Sequence, residues 1–106
     1  IMAADVVLIP LEDGDRAEAL VKAGKKVIAI DLNPLSRTAQ TAHVTIVDEL
    51  TRAVANMITA AERMKEDAVA RKNAIAGHDN RRCLEEMMVI ICSNLMRRRG
   101  EASLRR

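Results

Sequence analysis

Three short apolar runs, rich in β-branched residues, most constrain the fold of this chain. They read ADVVLIP, KVIAID and AHVTIVD, and all three lie in the first half of the sequence. Continuous apolar runs of this length are typical of strands covered on both faces, as in parallel sheets. A helix between the first two runs would join them as a strand–helix–strand unit with a right-handed crossover. The pattern therefore predicts an α/β fold built on a parallel sheet.

Capping and periodicity signals place the helices. Asp15, followed by Glu18, resembles a capping box and predicts a helix over residues 16–23. Gly24 suits the left-handed residue that closes such a helix. From Glu49 onwards the apolar residues recur at three- and four-residue steps, which predicts an amphipathic helix; they are Leu50, Ala53, Val54, Met57, Ile58, Ala61 and Met64.

The C-terminal part of the chain is predicted to be helical. Residues 65–79 are polar and weakly periodic, which predicts a helical or frayed connection that ends near Gly77. Asp79 can cap a last helix, whose apolar face is formed by Leu84, Met87, Met88, Ile91 and Leu95. We therefore divide the chain into a sheet-forming portion, residues 1–64, and a helical segment, residues 65–106, that packs on the sheet or on a partner.

The length of the chain limits it to one small domain or a part of one. At 106 residues it has room for a single modest core. A parallel sheet of three strands leaves at least one apolar edge open, and the first predicted strand begins almost at residue 1. Either a partner covers that edge or further sequence of the same sheet precedes it. We expect the chain to be a fragment of a larger domain.

Composition argues against several classes of partner. The chain contains no Phe, Tyr or Trp on which nucleic-acid bases could stack, and its net charge of +2 is too small to indicate nucleic acid. No apolar run approaches the ~20 residues that span a bilayer, and the first residues do not resemble a signal peptide. Cys83, Cys92, His43 and His78 lack partners at metal-ligand spacing, and both histidines are expected to be structural or incidental. We expect a cytoplasmic protein with no nucleic-acid or membrane partner and no metal site of its own.

The stretch DLNPLSRT, residues 31–38, is the first candidate site. It directly follows the second predicted strand, and ligands of open parallel sheets bind beyond the carboxyl ends of the strands. Asp31 can accept hydrogen bonds from ribose hydroxyls, or it can cap the turn that follows. A turn started by Asn33 and Pro34 can expose the backbone of Leu32 and Asn33 to a base.

Arg37 and two hydroxyl groups complete this stretch as a candidate phosphate site. The planar guanidinium of Arg37 can bind phosphate oxygens through paired hydrogen bonds, while Ser36 and Thr38 donate hydroxyl groups. The alternative for Arg37 is an ordinary surface arginine. The sequence contains no GxGxxG or Walker motif, so neither a dinucleotide fingerprint nor a P-loop is predicted.

Two acidic clusters follow the other predicted strands. Asp13 and Asp15 flank Gly14 just before a helix N-terminus. Two carboxylates there suit Mg²⁺ that carries phosphate, or they cap the helix. Asp48 and Glu49 begin the next helix, where carboxylates are favourable against the helix dipole.

Residues 4–54 resemble the archaeal phosphopantothenate synthetase family, the 4-phosphopantoate–β-alanine ligases. The likeness covers about half of the chain and is densest in PLEDGDRAEAL, IDLNPLSR and TIVD. The last predicted helix, DNRRCLEEMMVIICSNL, resembles the C-terminal helix of the family more loosely. The resemblance implies that this chain is the C-terminal, Rossmann-like portion of such an enzyme.

The resemblance implies an enzyme, an ATP-dependent ligase of coenzyme A biosynthesis. Family members join 4-phosphopantoate to β-alanine through an acyl-adenylate and release AMP and pyrophosphate, with Mg²⁺ expected on the ATP. They are homodimers. They hold ATP through residues that correspond here to Asp31, Leu32, Asn33, Arg37, Thr38, Glu49 and Leu50. The family often has Asn at the position of Glu49, so the contact implied there is through the backbone.

The implied enzyme is incomplete in this chain. Family members are longer at the N-terminus, and that region supplies further ATP-site arginines and much of the phosphopantoate site. We therefore expect little or no ligase activity from this chain alone, and no residue is assigned as an acid, base or nucleophile. The alternative is a non-catalytic nucleotide-sensing or dimerisation domain, which predicts binding without pyrophosphate release.

Overall fold

The computed structural model of the chain describes the backbone of residues 3–104 and their side chains except those at 75 and 99–104. Three strands and five helices follow one another within that range. The strands are β1 (Val6–Ile9), β2 (Lys26–Ile30) and β3 (Val44–Ile46). The helices are α1 (Gly14–Lys22), α2 (Arg37–Thr41), α3 (Leu50–Lys65), α4 (Ala68–Ala76) and α5 (Asn80–Leu104).

The three strands form one parallel sheet in the order β1-β2-β3. Val7 of β1 is in register with Val27 of β2, and Ile28 of β2 is in register with Val44 of β3. The predicted α/β fold with a parallel sheet is therefore confirmed. Because all three strands run in one direction, their carboxyl ends meet at a single edge of the sheet.

Most of the core lies on one face of the sheet. Successive side chains of a strand point to opposite faces, and Ile9, Val27 and Ala29 point to the face where α1 buries Ala17 and Leu20. On the other face, Val6 is 56% exposed and Leu8 is 42% exposed. The expectation that the first strand is covered on both faces is therefore wrong for the described part of the chain. The helices that pack on β1 lie on one side only, so half of its apolar side chains face solvent.

Helix α1 begins two residues earlier than the sequence predicts. Its N-cap is Asp13, whose side chain accepts a hydrogen bond from the backbone N–H of Arg16 at 3.1 Å. Asp15 therefore lies inside the first turn and does not cap the helix. The end of α1 is as predicted, because Gly24 has a φ of 81° and its N–H bonds to the carbonyl oxygen of Val21.

Helix α2 was not predicted from the sequence. Ser36 caps it by accepting a hydrogen bond from the backbone N–H of Ala39 at 3.0 Å. The next helix, α3, begins at Leu50 beside Glu49, as predicted. The polar connection that was predicted to be helical or frayed contains the helix α4, and Asp79 caps α5 through the N–H of Arg82 as expected.

The first turns of α5 attach this helix to the end of α2 and to β3. The Nδ2 amide of Asn80 donates to the carbonyl oxygens of Ala39 and Ala42, both at 3.0 Å, and Leu84 is buried. Further along α5 the apolar side chains are exposed, and Leu95 is 67% exposed. Among the helices of residues 3–104, none has an apolar stretch long enough to cross a lipid bilayer.

Candidate functional site

The segments that follow the three strands meet around one small cavity at the carboxyl edge of the sheet. The cavity has a volume of about 230 Å³. It is lined by Pro10, Leu11 and Glu12 after β1, by Ile30, Asp31 and Leu32 at the end of β2, and by Asp48 and Leu50 after β3. The structure thus brings Asp31, Leu32 and Leu50 together. Glu12, to which the sequence assigned no role, also lines the cavity.

Asp31 organises the turn after β2. Its Oδ1 accepts a hydrogen bond from the backbone N–H of Asn33 at 2.9 Å, and its Oδ2 accepts one from the hydroxyl of Ser36. The side chain of Asn33 continues the pattern by accepting the N–H of Leu35 at 2.9 Å. Asp31 therefore has the turn-capping role, one of the two considered. A carboxylate has about four lone-pair positions, so these two bonds leave acceptor capacity for a ligand hydroxyl.

The two hydroxyl groups of residues 31–38 point into the protein. Ser36 and Thr38 are both buried, and Thr38 is completely inaccessible to solvent. The Oγ1 atom of Thr38 accepts a hydrogen bond from the backbone N–H of Asp13 at 2.8 Å. The Thr38 hydroxyl thus holds α2 against the loop before α1, whereas the Ser36 hydroxyl bonds to Asp31 and caps α2. Neither hydroxyl faces the solvent at the strand tips.

Arg37 lies against the first turn of α1. Its guanidinium forms ion pairs with Asp15 and with Glu18, the latter at 3.6 Å, and the side chain remains 55% exposed. Asp13 caps α1 and also pairs with Arg16 at 3.4 Å. Both carboxylates that flank Gly14 are therefore engaged in local contacts. Exposed ion pairs of this kind are weak, contributing about 0–1 kcal/mol, so a phosphate can compete for Arg37.

Glu49 caps α3 with both carboxylate oxygens. Oε1 accepts the N–H of Thr51 at 2.8 Å and Oε2 accepts the N–H of Arg52 at 3.1 Å. These bonds to the backbone of Thr51 and Arg52 hold the pKa of Glu49 below its ordinary value of 4.5. Next to Glu49, Asp48 lines the cavity and pairs with Arg52 at 3.5 Å.

We expect the capping bonds of Glu49 to make the stability of the fold sensitive to acid. A carboxylate with a lowered folded-state pKa stabilises the fold above its unfolded-state pKa, and this contribution is lost as the pH falls through the folded-state value. The free energy of unfolding of the wild type should therefore approach that of Glu49→Gln as the pH falls from about 6 to about 2. Urea titrations across this range measure the difference, with Glu62→Gln as the matched control on the same helix. A gap between wild type and Glu49→Gln that stays constant in acid would contradict this expectation.

A larger groove of about 930 Å³ lies away from the strand tips, between the turn after β2 and the start of α5. His43 and His78 line it. The Nδ1 atom of His43 accepts a hydrogen bond from the backbone N–H of Val27 at 3.1 Å. The backbone N–H of His43 in turn donates to the carbonyl oxygen of Val27 at 2.9 Å. His43 therefore has the structural role that the sequence predicts, because it extends the pairing between β2 and β3.

The sheet and the position of the site define the class of the chain. A parallel β1-β2-β3 sheet, with helices between the strands and polar loops gathered at its carboxyl edge, is a Rossmann-like α/β fragment. Comparison with known sequences identifies the family. Residues 1–94 match the phosphopantothenate/pantothenate synthetase family, and the chain belongs to it.

Several curated relatives are similar over most of this chain. A 4-phosphopantoate–β-alanine ligase of Methanosarcina mazei is 53% identical over 96 residues, which cover 90% of this chain and 38% of the relative. The protein of the same name from Thermococcus kodakarensis is 47% identical over 107 residues, covering 100% of this chain and 41% of the relative. A third, from Methanospirillum hungatei, is 60% identical over 67 residues. The chain thus spans about two fifths of the length of the first two relatives.

Proposed function

We propose that this chain is the ATP-binding portion of a cytoplasmic ligase that joins 4-phosphopantoate to β-alanine in coenzyme A biosynthesis. The observation that supports it best is the turn of residues 31–38, which lies at the carboxyl end of β2 beside the strand-tip cavity. Ligands of doubly wound sheets bind at this edge. The names of the relatives supply the reaction.

We propose the ATP-binding roles from the family to which the chain belongs, and the positions of the residues support them. We assign Asp31 to the ribose hydroxyls, because its carboxylate keeps acceptor capacity next to the cavity. We place the base against Leu32 and Asn33, which are both exposed, and the start of α3 at Glu49 and Leu50 closes the other side. Arg37 binds phosphate through its planar guanidinium. Thr38 supports this arrangement from within, through its bond to Asp13.

The proposed reaction proceeds through an acyl-adenylate. A carboxylate oxygen of 4-phosphopantoate attacks the α-phosphorus of ATP, and the bond to pyrophosphate breaks. The amine of β-alanine then attacks the activated carbonyl carbon, the amide bond forms, and AMP leaves as the amine loses a proton. Charge accumulates on the phosphate oxygens during the first step, where Arg37 offsets it. Mg²⁺ bound to the nucleotide would supply further positive charge.

We propose that this chain alone binds nucleotide weakly and does not complete the reaction. Sites for small molecules and cofactors occupy about 300–1,000 Å³, and the strand-tip cavity of about 230 Å³ lies below that range. The cavity matches part of a nucleotide and leaves no volume for the two acids that are joined.

A chimera tests the proposed function. Residues 1–94 of this chain replace the matching segment of the Methanosarcina mazei ligase, which is 53% identical over 96 residues. We expect the chimera to release AMP and pyrophosphate only when 4-phosphopantoate is present, and to form the amide when β-alanine is added. A chimera that is folded and binds ATP but releases no pyrophosphate would contradict the proposal and favour a nucleotide-sensing domain.

We also propose that the chain forms a homodimer through α5. Met88, Ile91 and Leu95 recur at three- and four-residue steps along this helix, and Leu95 is 67% exposed. A stripe with this spacing is the surface that a second helix covers in a coiled-coil seam. A second copy of the chain carries the same stripe, so the two helices can bury each other.

The dimer proposal predicts the behaviour of a charged variant. Leu95→Glu should weaken self-association about tenfold or more, because a buried leucine contributes about 1.5–3 kcal/mol through burial. Sedimentation equilibrium over a range of protein concentrations measures the effect. Met96→Glu is the control of equal charge on the same helix, outside the proposed stripe. Equal masses for the wild type and Leu95→Glu at every concentration would exclude this surface as the interface.

A further inference from the structure

The guanidinium of Arg37 occupies the space in which a side chain at position 14 would begin. A Cβ atom on Gly14 would overlap Nε of Arg37 and would lie 2.9 Å from both its Cζ and its Nη2 atoms. Real Cβ atoms essentially never approach other atoms this closely. The guanidinium therefore rests in a notch at the start of α1 that exists because residue 14 is glycine.

The backbone does not require glycine at this position. Among the residues that the structure describes, Gly24 is the glycine with a positive φ, and Gly14 is the first residue of a regular helix. Glycine is one of the poorest helix formers, and alanine is the best. A glycine at the start of α1 is therefore explained by the space it leaves rather than by its conformation.

Two further contacts hold Arg37 in this notch. Asp15 and Glu18, both on α1, form ion pairs with its guanidinium. The neighbouring residue Thr38 accepts the backbone N–H of Asp13 at 2.8 Å, which joins the start of α2 to the loop before α1. Because the backbones on both sides are tied together, a Cβ on residue 14 would displace the flexible guanidinium rather than the helices.

We infer that Gly14 is a positioning residue for Arg37. Its missing side chain lets the guanidinium lie flat on α1 at the carboxyl edge of the sheet, where it is ready to bind phosphate. This inference rests on the proposed role of Arg37 in binding ATP. Holding a long side chain in place before the ligand arrives saves the entropy that binding would otherwise cost, so the notch acts on nucleotide affinity.

The substitution Gly14→Ala tests the inference. We expect it to weaken binding of ATP·Mg²⁺ by about three- to tenfold, while the binding of adenosine, which lacks phosphate, is unchanged. The melting temperature should stay equal or rise, since alanine favours a helix. Gly77→Ala is the matched control, because a Cβ there meets no atom within 4 Å. Calorimetric titration measures both ligands.

The double variant Gly14→Ala/Arg37→Ala separates the inference from the proposed function. If Gly14 acts through Arg37, the double variant binds ATP no more weakly than Arg37→Ala alone. Wild-type affinity in Gly14→Ala, together with a loss in Arg37→Ala, overturns the inference and leaves the proposed function standing. Wild-type affinity in both variants overturns the role of Arg37 and the inference with it. A melting temperature lower than that of Gly77→Ala shows a structural role for the notch and also overturns the inference.

Discussion

Replacing Arg37 by alanine should weaken binding of ATP·Mg²⁺ to this chain by about ten- to a hundredfold. Hydrogen bonds to charged groups contribute about 1.5–3 kcal/mol, and each 1.4 kcal/mol corresponds to about a tenfold change in affinity. Phosphate oxygens compete with Asp15 and Glu18 for the guanidinium, but these ion pairs are exposed and therefore weak. The variant also leaves two carboxylates without their cation beside the phosphates, which adds repulsion.

Calorimetric titration with ATP·Mg²⁺ measures this loss, and two variants show whether it is specific. Arg82→Ala removes an arginine that forms a similar exposed ion pair, with Glu86 on α5, and should bind as the wild type does. Arg37→Lys keeps the charge without the planar pair of donors, so its affinity should lie between those of the wild type and Arg37→Ala. If Arg37→Ala and Arg82→Ala bind equally well, the proposed phosphate role of Arg37 is wrong.

The sequence predicted the elements whose causes are local. The apolar runs predicted β1, β2 and β3, and Gly24 predicted the end of α1, because a left-handed residue after a helix favours glycine. Asp79 was predicted as a cap from equally local information, because a cap and its helix are neighbours in the chain. The meeting of Asp31, Leu32 and Leu50 at the carboxyl edge also followed, because it depends only on the strands being parallel neighbours.

The features that the sequence did not predict depend on distant contacts. The helix α2 has five residues, two of which are threonines with modest helix propensity. It is stabilised from outside by the bond between Thr38 and Asp13, which are 25 residues apart. The same bond turns the Thr38 hydroxyl inward, and spacing along the chain cannot show that direction. Likewise, a continuous apolar run predicts that both faces of β1 favour burial without showing which face the helices cover.

Substituting valine for Thr38 should destabilise the fold by about 1–3 kcal/mol. Valine has nearly the same shape as threonine but no hydroxyl, so the backbone N–H of Asp13 loses its acceptor in a partly buried position. An unsatisfied buried donor costs about that much, which is a large share of the roughly 5–15 kcal/mol that stabilises a typical domain. Asp13 is the N-cap of α1, so the loss also loosens the start of the helix against which Arg37 rests.

Urea denaturation measures this cost, and two further variants assign it to the hydroxyl. Thr59→Val removes an exposed hydroxyl that bonds to Ala55 within α3, and it should change stability by no more than about 0.5 kcal/mol. Thr38→Ser keeps the acceptor and loses only a methyl group, so it should recover most of the stability lost in Thr38→Val. If Thr38→Ser is destabilised while Thr38→Val is as stable as the wild type, packing of the methyl group stabilises this position and the bond to Asp13 does not. In that case the loop before α1 and the start of α2 are joined by apolar contact, and nucleotide binding should tolerate Thr38→Val.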